Sequence, residues 1–226
     1  MVIHCWSRYQ TTDPDAKRRE AVARRSWLNQ PWQELPIDDA ALPRLFDEGS
    51  KRLPFLHDLF DFAANKRNSS DIIVFSNSDL CMAPDACVRI VAALQSNDAG
   101  YAFRKDAYYR LTKPPTIEEI HQGTDYAGAD LFFFRVGWWA KYRKLYPDML
   151  LAREAWDCVM RHLIEETNPN KPLALENICL HERHGGPTHW ENPSIRYALK
   201  GQIHNLTLAK AFLQRRGINP ANFGIR

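Results

Sequence analysis

A strand-like run, Ile72-Ile73-Val74-Phe75, stops at Ser76, and Asn77, Ser78 and Asp79 follow at its carboxyl end. A carboxylate in that place can hold a divalent cation through its oxygens, and the cation can hold a diphosphate. The same Asx residues also serve a plain strand-to-helix turn. Further along, His181-Glu182-Arg183-His184 and then His189-Trp190 gather imidazoles just past another strand. Neutral imidazole binds transition metals well, and the spacing here, with no helical pattern around it, is not that of a zinc protease. Each histidine alone fits a hydrogen-bonded polar loop; together with Asp79 they point to a cation site, with His181 or His184 completing it. Two more clusters bear carboxylates. Gly128-Ala129-Asp130 enters a Phe-rich strand, where glycine permits close approach of backbone to a ligand and Asp130 can accept from hydroxyls. Arg153-Glu154-Ala155-Trp156-Asp157 reads as a helix start, where carboxylates sit well in the helix dipole and a base would need burial to raise its pKa.

The elements that must position these groups alternate between strand and helix. Val2 to Trp6 reads as a first strand, and a helix follows from about Asp13 to Leu28 with Asp13 as N-cap and Pro14 at the first helical position. A short strand at Leu35 to Ile37, a helix over about 53–65 and the Ile72 strand come next, then a helix opened by Pro84 and a strand from Gly100 to Arg104. Residues 105–128, rich in Pro, Thr and polar groups, read as one long irregular stretch. A strand over 130–135 precedes Trp138-Trp139, a helix over about 153–166, a last strand from Asn177 to His181 and a terminal helix from about Ile195 to Arg216. The Ile72 run, apolar without alternation, suggests burial on both faces. The expectation is a single α/β domain over 1–226, with a mainly parallel central sheet flanked by helices.

Composition sets outer bounds. The 226 residues are 45% hydrophobic and 25% charged, which is globular rather than disordered, and the net charge of +3 does not by itself mark a nucleic-acid binder. One basic cluster, Lys17-Arg18-Arg19 with Arg24-Arg25, leaves a phosphate-facing helix open beside a merely solvated one. The five cysteines are scattered with no Cys-x-x-Cys pair, which suits a reducing cytoplasm. No signal peptide and no apolar run near the ~20 residues of a membrane span is expected. The triplets at Asn68 and Asn205 would matter only in a secretory compartment.

In their order along the chain these clusters resemble the GT-A-fold glycosyltransferases, over about residues 2 to 190. The resemblance implies a Rossmann-like GT-A fold and transfer of a sugar from a nucleoside-diphosphate donor. It makes Asn77-Ser78-Asp79 the counterpart of the family's Asp-x-Asp motif, with Asp79 the ligand of Mn2+ or Mg2+. Asn77 departs from that motif, since an amide binds a cation less well than a carboxylate, so Asn77 would weaken the site or face the ribose. His181 or His184 would match a histidine the family often adds from a late strand end, and Trp190 a tryptophan that commonly follows it. By the same resemblance Asp157 or Glu154 would deprotonate the acceptor, with Asp130 a third candidate. Trp6, Ser7, Arg24 and Asp58 would touch the nucleotide, and Arg104 is counted with them for the donor. The acceptor, a hydroxyl on a glycan, small molecule or modified nucleic acid, would lie against residues 105–128 and Trp138-Trp139. The competing reading is a nucleotide- or nucleic-acid-binding protein of the same fold without transferase chemistry, favoured by Asn77 and the basic 17–25 helix. A phosphohydrolase would need more clustered carboxylates.

Overall fold

The computed structural model describes residues 1–8, 13–49, 51–168, 170, 174–184, 199–223 and 225. His189, Trp190 and the expected first turn of the terminal helix lie outside the described residues. The chain opens with β1 (Val2–Ser7), α1 (Pro14–Trp27) and β2 (Gln33–Ile37). A hairpin of β3 (Leu45–Glu48) and β4 (Lys51–Pro54) leads to α2 (Leu56–Ala64), β5 (Ile72–Ser76), β6 (Leu80–Met82) and α3 (Ala86–Ala93). Then come β7 (Ala99–Ala107), α4 (Ile117–Gln122), β8 (Thr124–Arg135) and α5 (Val136–Tyr142). The rest is α6 (Trp156–Thr167), β9 (Ala174–Leu175), β10 (Cys179–Glu182) and α7 (Lys200–Gln214).

One sheet runs in the order β2-β1-β5-β8-β7-β10-β6, with β9 beside β7. It is mixed, which corrects the expected mainly parallel sheet. All its strands run one way except β8, antiparallel to both β5 and β7, and β6, antiparallel to β10. The physical reason is that an unbroken apolar run reports burial on both faces and carries no information on direction. Leu131-Phe132-Phe133-Phe134 is wholly buried at the centre of the sheet while running against its neighbours.

Alternate residues of each strand feed two apolar layers. Ile73, Phe75, Phe132 and Phe134 pack against α2, α5, α6 and α7. Ile72, Val74, Leu131 and Phe133 pack on the opposite face against Trp27 of α1 and Ile90 of α3. Local signals explain several boundaries. Asp13 caps α1, accepting from the Asp15 amide at 2.9 Å, with Pro14 next as expected. Thr116 and Glu119 form a reciprocal capping box that starts α4 inside the stretch expected to be irregular. With β7 reaching Ala107 and β8 starting at Thr124, only 108–116 and Gly123 remain without regular structure there. α2 starts at Leu56 rather than Leu53 because Leu53 and Pro54 finish the hairpin, and α6 starts at Trp156 rather than Arg153.

The sheet's direction decides where chemistry can happen. Ser7, Ser76, Ala107 and Glu182 end β1, β5, β7 and β10 at one edge, and the reversed β8 begins there. Trp138 and Trp139 follow the far end of β8, where Arg135 pairs with Ile72, and are 3% and 1% exposed. They belong to the core at the opposite edge, which corrects their expected place beside the acceptor.

Candidate functional site

Three strands set a row across the carboxyl edge. The turn after β5 is closed by the Asn77 amide donating to the Asp130 carbonyl and the Leu80 amide donating to the Asn77 carbonyl, both at 3.3 Å. That turn presents Asp79 at the entrance to β6. β10 then inserts between β6 and β7 so that His181 lies opposite Leu80 on one side and Asp106 on the other. His184 returns from the strand end to the same place.

Asp79 Oδ2 lies 3.4 Å from His181 Nε2 and 3.0 Å from His184 Nε2. One ligand atom from each of the three lies within 4.8 Å of the others, a group able to hold a metal ion. His181 is buried while His184 is exposed, so the group opens outward on the His184 side. Burial would push the Asp79 carboxyl up, but the two imidazoles hold it well below the usual carboxylate range. Burial would likewise lower His181, yet the Asp106 and Asp79 carboxylates outweigh it and raise its pKa to about 9. One carboxylate and two imidazoles are a donor set that suits a transition-metal ion better than Mg2+.

A second group sits beside the first and is joined to it by Arg104 on β7. Arg104 Nε lies 3.0 Å from Asp106 Oδ1, and its Nη1 is paired with Asp130 on β8. Its guanidinium lies 3.7 Å from the centre of the Tyr126 ring, an arrangement of cation over aromatic face. Gly128 makes room here: a Cβ on it would run into Tyr126 and come within 3.4 Å of Asp157 Oδ2. Asp157, in the first turn of α6, is partly buried, and burial followed by the charge of Asp130 raises its pKa. The amides of Cys158 and Ala129 offset part of that rise. A carboxyl poised upward beside a fixed anion is suited to proton transfer.

α6 is aimed by a strained turn. Ala152 and Ala155 both hold left-handed backbone, at φ 61° and 71°, which is costly for residues with a Cβ. Hydrogen bonds hold them there. The Glu154 amide donates to Gln202 Oε1 at 3.0 Å, and Asn205 bonds both backbone groups of Leu150 and the Glu154 carbonyl. Asn205 is fully buried, so the Asn205 triplet is packing, not a surface acceptor.

The other residues expected at the donor are distributed unevenly. Ser7 ends β1 at the right edge and donates to Asp39 Oδ1 at 2.6 Å. Arg24 is exposed on α1, 5.8 Å from the centre of the Trp6 ring. Trp6 itself is 1% exposed, packed against His4 and Trp27 within the core. Asp58 is buried beneath Arg44, which donates to it at 2.7 to 3.2 Å. In the basic helix, Arg18 binds Glu182 and the Leu111 carbonyl, and Arg25 binds the Thr112 carbonyl. Those two cations fasten α1 to the 108–116 segment. Asp106 and Tyr126 have no sequence signal, because both fall in the stretch that reads as irregular and only strand register assigns them to the site.

No protein-family model matches the chain, and no curated protein matches it. Among solved structures it is similar to S. aureus TarS 1-349 in complex with UDP-GlcNAc, at a TM-score of 0.55 and 11% identity over 98% of this chain and 74% of that one. S. aureus TarS 1-349 also matches at a TM-score of 0.49 and 10% identity, over 98% of this chain and 73% of that one, a likeness on which nothing here rests. Identity this low speaks for fold alone, and on that ground the chain has, over nearly its whole length, the fold of TarS, a GT-A glycosyltransferase.

Proposed function

We propose that the chain is a metal-dependent glycosyltransferase, with residues 1–226 as one catalytic unit, moving a sugar from a nucleoside-diphosphate donor to a hydroxyl acceptor. The observation that carries this reading is the convergence of Asp79, His181 and His184 at the sheet's carboxyl edge, the edge where open α/β folds bind ligands. It is supported by a fold shared with a protein solved in complex with UDP-GlcNAc.

Asp79, His181 and His184 would hold Mn2+ in preference to Mg2+. Once bound, the cation would neutralise charge developing on the leaving diphosphate. Asn77 and Ser78, beside Asp79, and Ser7 and Arg24, across β1, would orient the donor. Trp6 backs Arg24 from the core, while Asp58, on the helix covering the other face of the sheet, is held by Arg44. Arg104 is neutralised by Asp106 and Asp130, so it fixes the two carboxylates more than it attracts phosphate. Asp157 takes the proton from the acceptor hydroxyl. Asp130, engaged by Arg104, raises the basicity of Asp157 rather than acting in its place, and Glu154 braces the turn before α6. The five unpaired cysteines favour a reducing compartment such as the cytoplasm.

The test is the melting temperature of the full chain with UDP, with Mn2+ and with both, beside an Asp79→Ala variant. A rise that needs metal and nucleotide together and disappears in Asp79→Ala supports the reading. A rise with DNA alone, and none with nucleotide, overturns it in favour of a nucleic-acid binder.

A further inference from the structure

We propose that Asp106 is the positioning residue of the cation site, acting on it through His181. The inference rests on Asp79, His181 and His184 being the ligands. An imidazole binds a metal through one ring nitrogen and keeps its proton on the other, so whatever accepts from the second nitrogen chooses the tautomer. His181 uses both nitrogens in the row across β6, β10 and β7. Nε2 faces Asp79 Oδ2 at 3.4 Å, and Nδ1 faces Asp106 Oδ1 at 3.3 Å. The partnership comes from register, since the parallel pairing of β10 with β7 sets His181 directly opposite Asp106. Both residues are buried, 7% and 5% exposed, so little solvent competes for Nδ1.

Asp106 is itself fixed. Arg104 Nε lies 3.0 Å from the same Oδ1 and restrains the carboxylate. Asp106 is not part of the group formed by Asp79, His181 and His184. When a cation takes the place of the Nε2 proton, Asp106 would hold the remaining proton on Nδ1 and so leave Nε2 to the ion. Without it, no acceptor would face Nδ1, and the ring would be free to turn and offer either nitrogen to the ion. Arg104 also grips Asp130, so one guanidinium ties the alignment of His181 to the carboxylates near the acceptor.

The experiment titrates Mn2+ alone into the full chain, reading free ion by electron paramagnetic resonance. Wild type should bind and Asp79→Ala should not. Asp106→Leu, with no acceptor, should bind roughly 100-fold more weakly and Asp106→Asn, a neutral acceptor, roughly 10-fold. A merely structural role would not move the ring proton, so the tautomer is read as well. Long-range 1H–15N spectra of the Zn2+-loaded protein should show Zn2+ on Nε2 and the proton on Nδ1 of His181 in wild type, and ligation divided between the two nitrogens in Asp106→Leu. Equal Mn2+ affinity in wild type and Asp106→Leu, with binding lost in Asp79→Ala, overturns the role of Asp106 and leaves the cation site standing. Failure of wild type to bind Mn2+ overturns the cation site and this inference together. If Asp106→Leu does not fold, Asp106→Asn decides, and wild-type affinity there overturns the proposal.

Discussion

At the scale of single residues, environment separates carboxylates that look alike in sequence. Asp130 is held by a guanidinium, whereas burial and then the charge of Asp130 push up the Asp157 carboxyl. Its folded pKa is raised, and it acts as a base only when ionised. Activity should therefore fall as pH drops through a midpoint above the ordinary carboxylate value of about 3.9. Asp157→Asn should lower turnover by about 10² or more with donor affinity little changed, and retention of full turnover would remove Asp157 from the chemistry. His4 makes a prediction of the opposite kind, about stability. It is fully buried among Trp6, Trp27 and Trp32, and burial lowers its pKa to about 3. Above pH 6.5 the ring is neutral folded or unfolded. Below that the unfolded chain takes up a proton that the folded chain refuses, so stability declines until about pH 3. The loss should reach about 2 kcal/mol by pH 5. Urea unfolding at pH 7 and pH 5, compared with His4→Gln, reads it; equal pH dependence in the two proteins would dismiss the histidine as the cause.

At the scale of elements, α7 governs the turn that aims α6. Asn205 makes three hydrogen bonds to the backbone of Leu150 and Glu154, and removing its amide would leave those groups buried without partners. Asn205→Ala should cost about 3 kcal/mol in urea unfolding and loosen Asp157, whereas a change under about 0.5 kcal/mol would show that the turn holds itself. Elements are also where the sequence is most and least readable. The start of α1 is written locally in Asp13 and Pro14, and β5 in its apolar run, so both appear where residue type alone puts them. The Phe-rich β8 shows its burial but hides its direction. The ladders that extend β7 to Ala107 join residues far apart in the chain, so Asp106 looks like loop. The types Asp79, His181 and His184 could be picked from sequence; the register that adds Asp106 to them could not.

At the scale of the whole molecule, one late strand completes both the sheet and the site. β10 is formed by residues 179–182 but lies between β6 and β7, which are made of residues 80–82 and 99–107. As the chain leaves the ribosome, everything through β9 can be present while β7 still shows an open strand edge and Asp79 has no histidine beside it. A nascent chain in that state can neither hold a cation through this group nor hide its pairing edge, and exposed edges invite association with other chains. Late closure thus separates the assembly of the earlier strands from completion of the proposed cation site, which forms only as β10 slots into place. A fragment ending at residue 176 should accordingly sediment as aggregates and leave Mn2+ free, while a monodisperse fragment that binds the ion would show that the earlier strands suffice.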